Sequence, residues 1–78
     1  MRDYSFDVLE LVSELKFNSA NAKPLKLLAR DMDMPRRKVV ALIKKARAEL
    51  APDVLIINNG RDSYYMKGSL YYEDRGVL

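Results

Sequence analysis

The chain contains no cysteine and no histidine. Without cysteine there is no disulfide staple and no thiolate metal site, and the redox compartment stays open. Without histidine, the commonest general base and the commonest zinc ligand are both missing. Glycine is scarce: Gly60, Gly68 and Gly76 are the only three, and no glycine-rich phosphate loop can be built from them. Ser5, Ser13, Ser19, Ser63 and Ser69 have no base with which to form a nucleophilic pair. These absences argue against an enzyme, and they predict no metal and no cofactor. No stretch approaches the roughly 18 apolar residues that span a bilayer. The N-terminal MRDYSFDVLELVSEL is acidic and amphipathic, lacking the apolar run and small-residue cleavage site of a secretory signal. The expectation is a cytoplasmic protein with no membrane partner.

What is present is a chain of 78 residues, enough for one domain with a single modest core. Apolar residues make up 49% and charged residues 32%, an ordinary globular balance. The net charge of +3 is unevenly spread. Residues 23 to 47 carry Lys23, Lys26, Arg30, Arg36, Arg37, Lys38, Lys44, Lys45 and Arg47 against only Asp31 and Asp33, a local balance of +7, while the flanking segments 1–22 and 48–78 each sum to −2. A field focused on one segment fits a polyanionic partner; the plainer reading of a charge run is a solvated face.

Along the chain, residues 5 to 17 predict an amphipathic helix. Phe6, Leu9, Val12 (or Val8) and Leu15 form its apolar side, and Asp7, Glu10 and Glu14 its polar side. Ser5 is the expected N-cap and Asp7 suits the first turn. The polar stretch NSANA at 18–22 is a break. Pro24 opens a second helix at its first turn, running to about Met32 with Leu25, Leu28, Ala29 and Met32 inward. Asp33-Met34-Pro35 is a turn, because proline disfavours helical geometry in the residue before it; Asp33 caps the next helix. That third helix spans about 35–50. Val39, Leu42, Ile43, Ala46 and Leu50 make one stripe, and Arg37, Ala41, Lys44 and Ala48 stand opposite. Basic groups around small side chains let a helix backbone approach a groove. Pro52 ends the helix.

Residues 54 to 67 predict a hairpin: VLII and SYYMK as strands, with Asn59-Gly60 as a two-residue turn. Tyr64 and Met66 then share one face with partners among Leu55 and Ile57, and Tyr65 faces the other way. The core runs from about 5 to 67. The tail 68–78 is left open between a flexible end and one that docks through Leu70, Tyr71 and Tyr72.

The order helix, helix, turn, helix, hairpin resembles the winged helix-turn-helix family over roughly residues 5–67. Ala29 stands where the family carries an alanine at the helix contact. Leu28 and Met32 flank it, Asp33 takes the positive-φ turn position that is usually glycine, Met34 plugs the corner, and Val39 and Leu42 follow. Ser63-Tyr64-Tyr65-Met66 is similar to the hairpin ending of the DNA-binding domain of the biotin repressor and related small regulators. The resemblance implies an α+β winged helix-turn-helix, three helices and a β-hairpin wing, that binds double-stranded DNA.

The resemblance also implies roles. Helix 35–50 enters the major groove, with Arg36, Arg37, Val40, Ala41 and Lys44 at base-facing positions. Arginine can bond guanine O6 and N7 bidentately, and Val40 or Ala41 can touch a thymine methyl. Lys38, Lys45 and Arg47, with Lys23 and Lys26 from the second helix, reach phosphates. The hairpin 54–67 is the wing, with Asn58, Asn59 and Arg61 at its tip; for Arg61, a turn arginine in water is an equal alternative. The function implied is a small transcriptional regulator such as a repressor, with homodimerisation following by fold analogy. Two rival readings stay open. One is an adaptor, or an accessory factor of a phage or mobile element, docking on a host polymerase, replication or defence complex through the acidic first helix or the Tyr71-Tyr72 tail. The other is RNA binding by the same basic helix.

Overall fold

The computed structural model describes residues 4–60 and 62–68. They form an α+β domain of three helices and a three-stranded antiparallel sheet. The helices are α1 (Phe6–Glu14), α2 (Leu25–Met32) and α3 (Arg36–Leu50); the strands are β1 (Lys23–Pro24), β2 (Val54–Asn58) and β3 (Ser63–Gly68). Sheet order is β1-β3-β2, so the shortest strand lies beside β3 and β2 forms an edge. One core joins all three helices to the inner face of the sheet, with Val8, Leu11, Leu28, Val39, Leu50, Val54 and Met66 buried almost completely. No helix among the described residues is long and apolar enough to cross a membrane.

The first helix is shorter than expected, and its buried face is turned only in part from the expected one: Val12 (with Val8) and Leu15 are inward as expected, while Leu11 takes the place of Phe6 and Leu9. The helix ends at Glu14, and its buried residues are Val8, Leu11 and Val12, followed by Leu15. Phe6 is 92% exposed and Leu9 is half-buried. Two apolar stripes compete on this helix, and the one with four aliphatic residues wins the core. Ser5 occupies the N-cap position without a side-chain cap bond, because its hydroxyl donates to Glu49 Oε2 instead. The Asp7 carboxylate accepts from the Val8 N–H at 2.8 Å.

The break at 18–22 contains a 3-10 turn, Ser19–Asn21, capped by the Asn18 side chain accepting from the Ala20 N–H. Pro24 precedes α2 rather than opening its first turn. With Lys23 it forms the two-residue β1, paired against Tyr64 and Ser63. This strand has no period-2 signature of its own. It is held by β3 and by Leu25 N–H donating to Asp62 O at 2.6 Å; further along β3, Met66 N–H donates to Lys16 O at 2.7 Å.

The turn between α2 and α3 matches the expected chemistry at its centre. Asp33 has φ 55° and ψ 50°, the left-handed region. Its N–H donates to Arg30 O at 3.2 Å and the Met34 N–H donates to Ala29 O at 3.0 Å. These are the paired bonds of a Schellman ending, usually accompanied by an apolar contact. Met34 and Ala29 pack, partly buried, against the core. Asp33 therefore closes α2 rather than capping α3; the residue preceding α3 is Pro35, which makes no side-chain cap. The buried stripe of α3 is Val39, Leu42, Ile43, Ala46 and Leu50, as the periodicity predicts.

The hairpin has a longer loop and the opposite register of faces from that expected. Pairing runs from Val54↔Gly68 to Asn58↔Tyr64, and Asn59 N–H donates to Ser63 O at 2.7 Å. The connection is thus a loop beyond Asn59, with Gly60 at φ 86°, and not a two-residue Asn59-Gly60 turn. The longer loop shifts pairing enough to set Val54 and Ile56, not Leu55 and Ile57, on the buried face with Tyr64 and Met66; Leu55 is 50% exposed. A one-residue change of register flips every side chain. At the far end of β3, Gly68 has φ 116°, and a Cβ there would collide with the Asp53 carbonyl.

Candidate nucleic-acid interface

The basic segment is divided by the fold into two populations. On α3, burying Val39, Leu42, Ile43, Ala46 and Leu50 turns the remaining residues outward. Arg36, Arg37, Lys38, Ala41 and Lys44 are exposed, and Val40 is 47% exposed. Among the described residues no carboxylate pairs with Arg36, Arg37, Lys38 or Lys44. Ala41 sits between the basic groups as a low point on the helix surface. It lines a shallow groove of about 290 Å³ with Asp7, Met34, Lys38, Leu42 and Lys45.

Lys26 joins this population from α2. It is exposed, and it meets Arg36 across a cleft of about 380 Å³ whose other walls are Pro24, Leu25, Asp62 and Ser63. The start of α2, the start of α3 and the base of the hairpin loop therefore converge at one place. The tight turn at Asp33 joins the end of α2 to the start of α3, and β1, just before α2, ties the hairpin to the start of α2.

The second population is engaged within the protein. Lys23 is pinned between Asp31 Oδ2 and Glu14 Oε1, each at 2.7 Å. The two carboxylates hold its ammonium pKa above the ordinary value, Asp31 contributing most. Lys23 and then Arg30 hold the Asp31 carboxyl below its usual range. Lys45 donates to both carboxylate oxygens of Asp7 at 3.1 Å, and that bond lowers the Asp7 pKa. Arg47 donates from Nε and Nη2 to Ile56 O at 3.2 and 3.1 Å. Since Asn59 bonds to Ser63, alternation along the ladder turns Ile56 toward the open edge of β2. Arg47 thus partners an edge carbonyl and ties α3 to the hairpin.

Sequence reasoning placed Lys23, Lys45 and Arg47 with the free cations, and nothing local in the sequence separates them. Lys23 pairs with Glu14 and Asp31, 9 residues before it and 8 after, and the partners of Lys45 and Arg47 are 38 and 9 residues away, across breaks in the pattern. Of the three hairpin residues, Asn58 is exposed at the end of β2. Asn59 uses its side-chain amide on Ser19 O at 3.2 Å. Arg61 lies outside the described residues, as do Leu70, Tyr71 and Tyr72 of the tail.

Comparison of the chain with protein-family models, with curated proteins and with solved structures gives no match. The functional reading rests on the geometry of the basic face and on the residue pattern.

What that face can do follows from its chemistry. A row of unpaired cations, two of them planar guanidiniums, can neutralise phosphates and donate to base edges. Small and apolar residues among them allow close approach and contact with methyl groups. Two carboxylates border this face: Asp7, held by Lys45, beside Ala41 and Lys38, and Asp62 in the cleft with Lys26 and Arg36.

Proposed function

We propose that this protein is a winged helix-turn-helix domain that binds double-stranded DNA sequence-specifically and acts as a small transcriptional regulator. In this reading α3 enters the major groove and the β2–β3 hairpin is the wing. The observation that carries it is the outward face of α3. Arg37, Ala41 and Lys44 stand together on the side opposite the buried stripe, with Val40 and Arg36 exposed on its flank, and none of the three cations has a carboxylate partner among the described residues. Supporting it, Lys26 and Arg36 meet at the base of the hairpin loop, where one phosphate could be shared between the two helices.

Arg36, Arg37 and Lys44 serve as base or near-base donors in this reading. Lys26 and Lys38 bind phosphates. Lys45 adds to these when it exchanges Asp7 for a phosphate. Lys23 and Arg47 support the fold behind the interface.

The test is binding to a random pool of genomic duplex fragments at about 50 and 200 mM salt, with recovered fragments sequenced. Two phosphate contacts, or three when Lys45 joins, give a slope near −0.9 per contact, so affinity should fall roughly ten- to fortyfold across that range. One enriched motif supports a sequence-specific regulator. Binding without a motif reduces the reading to an architectural role. No binding at 50 mM salt overturns it and favours the docking-adaptor alternative.

A further inference from the structure

Strand β2 is an edge of the sheet, and among the described residues no strand lies beside it on its open side. Its ladder with β3 uses the backbone groups of Leu55 and Ile57, so those of Val54, Ile56 and Asn58 face outward. One of these outward groups is taken: the Ile56 carbonyl accepts from both Nε and Nη2 of Arg47. The Ile56 N–H and the N–H and carbonyl of Asn58 have no backbone partner among the described residues. The edge is thus a strand-pairing site with an arginine laid across its middle.

An unpaired edge invites pairing with other chains, and a charge laid over it resists that. Arg47 also sets the chemistry of any chain that replaces it. It is exposed and has no carboxylate partner among the described residues, and the same holds for Lys44, one turn earlier on α3. Helix α3 shares the core with Val54 and Ile56, so these two cations border the inner side of the edge. The outer side carries Leu55, 50% exposed, and the half-buried Ile57.

We propose that the edge of β2 adds an extended segment of a partner protein in which acidic and apolar side chains alternate. Successive side chains of a strand point to opposite faces. One set therefore falls beside Arg47 and Lys44, and the other beside Leu55 and Ile57. A carboxylate on the inner side takes the Arg47 guanidinium, and that charge-assisted bond is stronger than the one to a neutral carbonyl. The Ile56 carbonyl is released to accept from the incoming backbone. A neutral strand has to displace Arg47 without offering it a partner, and a basic strand is repelled. Main-chain bonds supply the affinity and the alternating side chains the selectivity. Lys44 also belongs to the proposed DNA face, so the segment and DNA compete there, but the edge itself does not depend on that reading.

The probe is a peptide of about eight residues alternating glutamate and valine, long enough to cover a strand. Its control carries glutamine in place of glutamate. Nuclear magnetic resonance of the full chain without DNA should show saturable binding of the acidic peptide with Kd below about 1 mM. At saturation, exchange of the Ile56 and Asn58 amides should slow at least about fivefold, while Leu55 and Ile57, already in the ladder, change little. Arg47→Ala should weaken the acidic peptide at least about fivefold and strengthen the glutamine peptide, because the Ile56 carbonyl is then free and the cation is gone. Arg47→Lys should keep the preference for the acidic peptide. Thermal unfolding of each variant checks that it folds, and the amide pattern of the parent stands without them. No saturable binding by 1 mM, or resonance shifts on α3 without slowed exchange at Ile56 and Asn58, would overturn the proposal. So would an Arg47→Ala variant in which both peptides change alike. None of these outcomes bears on whether the outward face of α3 binds DNA.

Discussion

Glu49, one residue before the end of α3, accepts both the backbone N–H of Ser5 at 3.0 Å and the Ser5 hydroxyl at 2.6 Å. The two residues are 44 positions apart. The bond ties the start of the first helix to the end of the third, and it explains why Ser5 does not cap its own helix. It also makes the carboxylate state of Glu49 part of the fold.

Stability should therefore fall in acid. The Ser5 donors hold the Glu49 carboxyl below its ordinary value. Lys45 does the same for Asp7, and Lys23 for Asp31. A carboxyl whose folded pKa is depressed stabilises the protein above its unfolded pKa, and that contribution is lost as pH falls through the folded value. The melting temperature should hold from pH 7 to about 5 and drop below about pH 4. Lys23, with its pKa raised, has the opposite sign: its contribution is present below the ordinary lysine value and lost only above it, so it adds nothing to the acid limb. Glu49→Gln should melt lower at pH 7 and lose less on acidification. An unchanged acid limb in that variant would deny Glu49 a part in it.

Binding assays should separate the free cations from the engaged ones. Arg37→Ala and Lys44→Ala should weaken DNA binding strongly with nearly unchanged melting temperature, since both side chains are exposed. Asp7→Asn should act in the other direction. It releases Lys45 from its ion pair, so affinity at low salt should rise and the salt slope should steepen by about one unit. If Arg37→Ala and Lys44→Ala bind like the parent, α3 does not carry the interface.

The segment from α2 through the Asp33 turn to α3 was the most legible part of the sequence, because its signals are local. The stripe of α3 repeats at helical spacing over 15 residues, and Asp33-Met34-Pro35 carries its own turn chemistry. The errors arose where two local readings were equally good. In α1, the stripe Phe6-Leu9-Val12-Leu15 and the set Val8-Leu11-Val12-Leu15 both keep helical spacing and share Val12 and Leu15, and only packing against the other helices chooses between Phe6 with Leu9 and Val8 with Leu11. In the hairpin, VLII is apolar at every position, so the strand gives no alternation to fix which face is buried. The pairing of β1, the Lys23 pairs with Glu14 and Asp31, and the Arg47 bond to Ile56 depend on tertiary approach, and no periodicity announces them. The basic face was legible as a set of candidates; which members keep their charge free was not.

The face assignment in the hairpin is testable by paired truncations. Leu28 is fully buried, whereas Leu55 is 50% exposed on the outer face of β2. Leu28→Ala should cost about 2–5 kcal/mol, a fall in melting temperature of roughly 10 °C or more for a domain of this size. Leu55→Ala should stay within about 0.5 kcal/mol, and Ile56→Ala should resemble Leu28→Ala more than its neighbour. Chemical denaturation of the three variants reads this directly. A large loss at Leu55 with a small one at Ile56 would restore the register in which Leu55 packs beside Tyr64.

Asp33 offers the sharpest check on the turn. It is the one described non-glycine residue with positive φ, and it ends α2 with its N–H and that of Met34 bonded back to Arg30 and Ala29. Left-handed geometry costs an ordinary L-residue roughly 1–2 kcal/mol, less for aspartate and nothing for glycine. Asp33→Gly relieves that strain but gives the unfolded chain more freedom, and the two effects oppose each other. The net expectation is a change between zero and about 1 kcal/mol in favour of the fold. Asp33→Val places a β-branched residue in the same conformation and should cost more than about 1 kcal/mol although the position is exposed. Thermal unfolding of the pair should thus bracket the parent from above and below. Equal stability of the glycine and valine variants would mean that the chain does not turn through left-handed geometry at this residue, and the placement of α3 relative to α2 would have to be redrawn.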